Sequence, residues 1–259
     1  MAPRLTTTTL LLAVGVLAAA GCGGTSTPPP AEPAPTLRRP PPVDDAPPED
    51  EDDGLELVSD RGKFDPDMAA AKVAPHAGAL HACYTDHLER RRWLGGSVDL
   101  TWTVGADGTL VSVHLSKSDL GAWPIERCLL EVAHSVEFGR PQGHGKADVT
   151  FPVTFAGGSA AVAWDDDRAA RAVGPRLAEL ASCSKAGGGD PANVTVTAYV
   201  GTRGKVQSVG FSAPAPLASA WADCAEAKVA AWTLTDPRGK VAKLSVVYHP
   251  VAIDADDEE

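Results

Sequence analysis

An internal repeat is the feature that most constrains this chain. Residues 98 to 143 match residues 194 to 239 without a gap, at an offset of 96 positions. The identical pairs include Val98 and Val194, Val104 and Val200, Gly105 and Gly201, Gly108 and Gly204, Val113 and Val209, Cys128 and Cys224, and Pro141 and Pro237. A register that keeps glycines and a cysteine aligned indicates a duplicated folding unit, so both halves are expected to share one fold.

The spacing of apolar residues locates two strands and a turn in each copy. Alternation of apolar and polar residues predicts half-buried strands over 98–104 and 111–115, and the second copy repeats both. The segments "GADG" and "GTRG" join these strands. A type I turn followed by a left-handed glycine predicts a hairpin with a bulge. The turn glycines are Gly105, Gly108, Gly201 and Gly204. Because a strand follows rather than a helix N-terminus, the pattern favours a turn over a phosphate site.

Apolar residues at helical spacing lie on both sides of the hairpin. They are Leu80, Cys83, Tyr84 and Leu88 before it, and Ile125, Cys128, Leu129 and Val132 after it. A last strand is predicted over 149–155 and again over 244–248. The predicted fold class is therefore α+β, with two tandem modules at 66–157 and 164–253. Each module is helix, strand, strand, helix, strand, with the helices over one face of a three-stranded antiparallel sheet.

The first 65 residues are predicted to lie outside the fold. Arg4, the apolar run at 10–20 and the small residues after it are typical of a secretory signal peptide, assigned to residues 1–21. "LAAAGC" resembles a lipobox, so Cys22 is the predicted lipidation site, with plain secretion as the alternative. The proline-rich, acidic stretch at 22–65 is predicted to be a disordered tether, and residues 254–259 form an acidic tail.

The cysteine count is even once Cys22 carries the lipid. Export to an oxidising compartment favours disulfides, and four cysteines allow three pairings. The repeat selects Cys83 with Cys128 and Cys183 with Cys224, because each copy then has its own bridge.

The repeat argues against an active site. The first copy has histidines that the second copy does not keep: His81, His87, His114, His134 and His144. His114 alternates out of the apolar face of its strand and is expected to face solvent. Ser116 and Ser212 match, but no histidine or carboxylate accompanies both, and no G-x-S-x-G sequence occurs. No enzyme activity and no cofactor are predicted.

A zinc site at His81, Cys83 and His87 competes with the disulfide interpretation. The chain has no CxxC pair, and the second copy has no histidines at these places. No metal site is therefore predicted.

The net charge of -11 argues against nucleic acid as a partner, since such proteins present a basic face. One cluster is both basic and aromatic: Arg90, Arg91, Arg92 and Trp93. It is a candidate contact for an acidic partner or an anionic wall polymer. The alternative is an exposed helix end, with arginines near the negative pole of the helix dipole.

Three stretches of the first copy resemble a known family. They read "LHACYTDHL", "GGSVDLTWTVGADGTLVSVHLSKSDL" and "IERCLLEVAHSVEFGRPQGHGKADVTFPVTF". They resemble the AgmX/PglI C-terminal domain of myxobacterial envelope proteins, which is similar to the TonB C-terminal domain. The resemblance covers 75–155 well and 168–250 loosely, where Ser184 replaces the tyrosine that follows the first cysteine. It implies TonB-C-like modules and a noncatalytic role in motility, transport or surface assembly.

The expected function is that of a lipid-anchored scaffold or adaptor of the Gram-negative envelope, which binds another envelope protein. The anchor is expected in the outer membrane and the modules in the periplasm. Small sheets with open edges favour strand addition, here along 148–154. The alternatives are a peptidoglycan-binding lipoprotein and a periplasmic hydrolase. The second module either binds a partner or only braces the first.

Overall fold

A computed structural model of the chain describes residues 61–250. The predicted signal peptide, the Cys22 lipidation site, residues 22–60 of the predicted tether and the acidic tail lie outside the described residues. The predicted tether ends too late, because residues 61–65 belong to the fold. Gly62 donates a backbone hydrogen bond to Lys146 O at 3.0 Å, and the Phe64 ring lies 5.7 Å from the Phe138 ring.

The first half contains three helices and three strands. They are α1 (Pro66–Val73), α2 (Ala77–Leu88), β1 (Gly96–Val104), β2 (Leu110–Ser118), α3 (Trp123–Ala133) and β3 (Ala147–Phe155). The Asp65 carboxylate caps α1 by accepting from the amides of Asp67 and Met68. Pro75 lies in the turn that separates α1 from α2, where it interrupts the helical hydrogen bonds. The three strands form an antiparallel sheet, as predicted, and their order is β2-β1-β3.

The second half contains three helices and four strands. They are β4 (Val162–Ala163), α4 (Asp166–Leu177), α5 (Ser184–Gly187), β5 (Val194–Val200), β6 (Val206–Ser212), α6 (Ser219–Ala230) and β7 (Ala242–Tyr248). The sheet order is β4-β7-β5-β6. The prediction of three antiparallel strands is wrong here, because the chain that joins the halves adds β4 parallel to β7. Just after β4, Trp164 N donates to Lys243 O at 2.9 Å. β4 has only two residues, which is too few for its sequence to show the alternation of a strand.

The duplication extends further towards the N-terminus than the strand pattern indicates. At an offset of 100 positions, the N-cap Asp65 matches the N-cap Asp165, and Cys83 matches Cys183. The offset falls to 96 at the first strand of each sheet. The first half is therefore four residues longer between its first cysteine and its first strand, in the segment that carries the arginine cluster.

Each half has its own hydrophobic core between its helices and one face of its sheet. Trp102, Leu100 and Leu129 lie in the first core, and Phe211 and Trp221 in the second. Both predicted disulfides are present: Cys83–Cys128 joins α2 to α3, and Cys183–Cys224 joins the 3-10 segment before α5 to α6. The two halves belong to one compact unit, and none of their described helices is long and apolar enough to span a bilayer.

Candidate functional site

The glycines of the two repeated hairpin turns have a structural role. Gly108 has a φ of +90°, and a Cβ there would lie 2.8 Å from the backbone carbon of Gly139. Gly204 has a φ of +71°, and a Cβ there would lie 1.8 Å from Leu234 O. Each turn thus packs against the segment that leads into the last strand of its half. Glycine is required for its conformation and for this close approach.

The two turns differ in detail. In the first, Gly105 N donates to Thr109 O, and the Asp107 side chain accepts from the amide and hydroxyl of Thr109. These hydrogen bonds hold the pKa of Asp107 below its usual value. The prediction of a type I turn is wrong for the second copy, where Arg203 also has a positive φ of 62°. Arg203 lacks the carboxylate that supports the first turn.

The histidines do not form a site together. His81, His134 and His144 are exposed, and the His87 ring lies 3.0 Å from Cys83 O. Cys83 is bonded to Cys128, so it supplies no thiolate for the competing zinc site. Over residues 61–250, no group of three or more histidine, cysteine, aspartate or glutamate side chains is placed to hold a metal ion.

His114 is buried, so the expectation of a solvent-facing imidazole is wrong. It is 8% exposed, and the second half covers it. Burial lowers the pKa of His114, and this outweighs the raising effects of Asp148 and of a hydrogen bond with the Pro214 backbone. The strand pattern predicted the face correctly, but it contained no sign that the second half packs there.

The arginine cluster is divided between solvent and the second half. Arg90 and Arg92 are exposed. Arg91 is half-buried and donates from Nη1 to Ser208 Oγ at 3.5 Å and from Nη2 to His87 O. The Trp93 ring lies 4.6 Å from the Tyr199 ring. Arg91 and Trp93 therefore have an intramolecular partner, and the predicted partner contact is left to the two exposed arginines.

The inner edges of the two sheets face each other. β2 and β6 are equivalent strands of the repeat, and Ala213 N, just after β6, donates to Leu115 O of β2 at 2.9 Å. Ser208 donates to Gly121 O at 2.7 Å. We call this contact region between the halves the seam.

The buried polar side chains of the described residues are concentrated at the seam. The buried polar side chains are Thr101, His114, Ser118, Glu126, Thr197, Ser208 and Ser212. Thr101 is an exception, because it bonds to Ser116 and Thr150 within the first sheet. Around them, Tyr199 donates to Gly95 O at 2.8 Å, and Lys243 donates to the same oxygen and pairs with Asp119 at 3.1 Å. The seam is thus a hydrogen-bonded interface between two apolar cores, and contacts of this kind are more polar than a core.

Glu126 is the least expected residue of the seam. It lies on α3 with no solvent exposure, and it accepts from Ser118 Oγ at 2.6 Å and Gly121 N at 3.3 Å. Its second oxygen accepts from Phe211 N of β6 at 2.8 Å, across the seam. A Cβ at Gly210 would lie 2.2 Å from that oxygen, so this glycine makes room for the carboxyl group. Burial raises the pKa of Glu126 to about 7, against the lowering effect of these donors.

The outer edges of the sheets differ from the inner edges. The Lys146 carbonyl points away from β1, as its hydrogen bond from Gly62 N shows. Backbone direction alternates along a strand, so the N–H and C=O groups of residues 148, 150, 152 and 154 also point outwards. No backbone hydrogen bond from any residue between 61 and 250 reaches these groups. Pro152 is at an outward position, where its missing N–H removes no bond to β1.

The outer edge of β7 is partly covered. β4 pairs with its first two residues, Ala242 and Lys243. Beyond them lies a groove of about 440 Å³ between α4 and β7, lined by Ala170, Gly174 and Val247 among others.

Comparison with known proteins leaves the family open. The chain matches no protein-family model and no curated protein. Part of it is similar to the NMR solution structure of the Helicobacter pylori TonB C-terminal domain. The two are 16% identical over 36% of this chain and 95% of that chain, with a TM-score of 0.24. This partial similarity says nothing about function, and membership of the AgmX/PglI family stays a prediction.

Proposed function

We propose that the protein is a noncatalytic, lipid-anchored adaptor of the bacterial envelope, built of two TonB-C-like modules. It binds an extended segment of another envelope protein by strand addition to the outer edge of β3. The observation that carries the proposal is the row of outward-pointing backbone groups at residues 148–154. An added strand satisfies such groups and gains specificity from alternate side chains.

The seam supports the choice of edge. β2 and β6 cover each other, which leaves the outer edges for a partner. β3 offers nine strand residues along its edge, whereas β4 already occupies the start of β7. The exposed side chains of β3 at outward positions are Asp148, Thr150, Pro152 and Thr154. The exposed side chains beside an incoming strand are therefore mostly polar.

The absence of a conserved reactive pair within the duplication supports a binding role over hydrolysis. His114 corresponds to Gly210, and Glu126 corresponds to Ala222. Ser116, one of two serines in this strand that both copies share, accepts from Thr101 Oγ1 at 2.8 Å. It lies in a hydrogen-bonded row of hydroxyls, without a base to activate it.

The test combines in-cell photo-crosslinking from position 148 with backbone variants of β3. Thr154→Pro removes one outward N–H and leaves the β1 pairing intact, while Thr154→Ala keeps that N–H. One lost hydrogen bond is worth about 1 kcal/mol, so crosslink yield to the partner protein should fall roughly fivefold for Thr154→Pro alone. Pro152→Thr supplies an additional donor and should raise the yield.

Thermal unfolding of each purified variant shows whether the fold is retained. Equal yields from all three variants at equal stability contradict strand addition at β3. Crosslinks to peptidoglycan instead of protein support the cell-wall alternative.

A further inference from the structure

The Glu126 carboxyl group is buried at the seam without an oppositely charged partner in the described part of the chain. No lysine, arginine or histidine among residues 61–250 forms an ion pair with it. A buried, unpaired carboxylate is expensive even when it accepts hydrogen bonds, whereas its protonated form avoids most of that cost. The state of this one proton therefore affects the stability of the surroundings.

The surroundings of Glu126 belong to both halves. Ser118 and Gly121 hold one oxygen from the first half, and Phe211 N holds the other from the second half. Within residues 61–250, Glu126 is the only ionisable side chain that accepts a backbone hydrogen bond from β6. A change in its charge acts directly on the contact between α3 and β6.

The repeat shows that this contact is specific to the tandem arrangement. The position equivalent to Glu126 in the second copy is Ala222, also fully buried. The position equivalent to Gly210 in the first copy is His114. The long acidic side chain of Glu126 in the first copy thus packs against Gly210, which has no side chain, in the second copy. The two differences fit each other across the seam, because the Glu126 carboxyl group fills the space left at Gly210 and accepts from Phe211 N.

We propose that the Glu126 carboxyl group is a proton-controlled latch, which holds the second half against the first when protonated and loosens the seam when ionised. The latch does not depend on strand addition at β3. Its direction follows from linkage. The closed form holds the Glu126 proton up to a pH of about 7, whereas a solvent-exposed glutamate loses it near pH 4.5. The closed form binds more protons between these values, so it loses stability as pH rises through that window.

Other titratable groups lie on the elements packed against α3. They are His87 on α2, His114 on β2, Asp119 in the β2–α3 loop, Tyr199 on β5, and Asp223 and Glu226 on α6. Burial raises the pKa of Tyr199 to about 12, so it stays neutral, and Asp119 is paired with Lys243. His114 acts in the opposite direction, because burial lowers its pKa and protonation at low pH disfavours the closed seam. The sign of the pH dependence separates Glu126 from His114. Burial also raises the pKa of Glu226 on α6, so Glu226 acts in the same direction as Glu126, and the Glu126→Gln variant separates these two.

The Phe211 amide is a direct reporter of the latch, since it donates to Glu126. We would measure its hydrogen exchange by NMR in the full chain at pH 5 and pH 8, corrected for intrinsic exchange rates. Leu100 in the central strand β1 serves as the internal reference. A difference of about 2.5 between the two pKa values corresponds to a loss of Phe211 protection on the order of 100-fold, with Leu100 changed much less.

Two variants complete the test. Glu126→Gln cannot ionise, so its Phe211 protection should no longer fall as pH rises, whatever its absolute stability. Glu131→Gln removes an exposed carboxylate from the same helix and should keep the wild-type dependence. Three outcomes overturn the proposal: a fall of Phe211 protection with rising pH that persists in Glu126→Gln, wild-type Phe211 protection that rises with pH, or wild-type Leu100 protection that falls in parallel with that of Phe211. The last outcome would make Glu126 a determinant of global stability rather than a latch.

Discussion

Replacing Gly210 with alanine is expected to be among the most damaging single-methyl changes in this protein. The new Cβ would lie 2.2 Å from Oε2 and 2.4 Å from Oε1 of Glu126, about 1 Å closer than ordinary van der Waals contact. The carboxyl group has no solvent to move into, because Glu126 is fully buried. The α3–β6 spacing therefore increases, and the Glu126 carboxyl group is pushed out of its hydrogen bond with Phe211 N.

The cost can be estimated from these two effects. Overpacking a well-filled site costs about 1–3 kcal/mol. A buried N–H that loses its acceptor costs about 1–3 kcal/mol more, and the reduced entropy of the unfolded chain returns about 0.4–1 kcal/mol. We expect Gly210→Ala to lower the free energy of unfolding by about 3 kcal/mol.

Guanidinium denaturation with intact disulfides provides the measurement, and the chain contains a matched control. Gly78 lies exposed in α2 with no atom within 4 Å of an added Cβ. Gly78→Ala should be neutral or stabilising by about 0.5–1 kcal/mol, because alanine favours the helix. Glu126→Ala should relieve the clash, so the double variant should be no less stable than Glu126→Ala alone. If Gly210→Ala unfolds within 1 kcal/mol of Gly78→Ala, or if the double variant shows no coupling, the packing argument is refuted.

Two further predictions concern the cysteines. Replacing Cys183 and Cys224 together by serine opens a 41-residue loop and should lower the free energy of unfolding by about 4 kcal/mol, which denaturation can measure; a loss below 1 kcal/mol would contradict the chain-entropy estimate. Cys22→Ala should release the protein from membranes into the soluble fraction, as seen by fractionation and immunoblotting, and a variant that stays membrane-bound would exclude Cys22 as the anchor.

The repeat made the layout of each half predictable. Gly108 and Gly204 located the hairpins, and the cysteines in matching places selected the disulfide pairing that the structure contains. These features depend on local conformation or on contacts inside one copy. Both leave a periodic or repeated trace in the sequence.

The seam could not be predicted in the same way, because it depends on contacts between copies. The side chain of His114 faces away from its own core, as its alternation indicates, but a second sheet edge covers it. β4 is too short to carry a pattern, and nothing in the strand pattern distinguishes Tyr199 from its neighbours. The available signal was the difference between the copies. The two copies differ at the aligned positions that face the seam: Glu126 aligns with Ala222, and His114 aligns with Gly210.

The meeting of β2 with β6 also bears on how the protein behaves at low abundance. Two separate copies of such a module could cover these edges only by forming a dimer, and a dimer dissociates on dilution. Joining the copies in one chain replaces that bimolecular step with an intramolecular one, at an effective concentration on the order of millimolar for a short connection. The tandem therefore keeps its inner edges covered even when few molecules are present, and its assembly is independent of expression level.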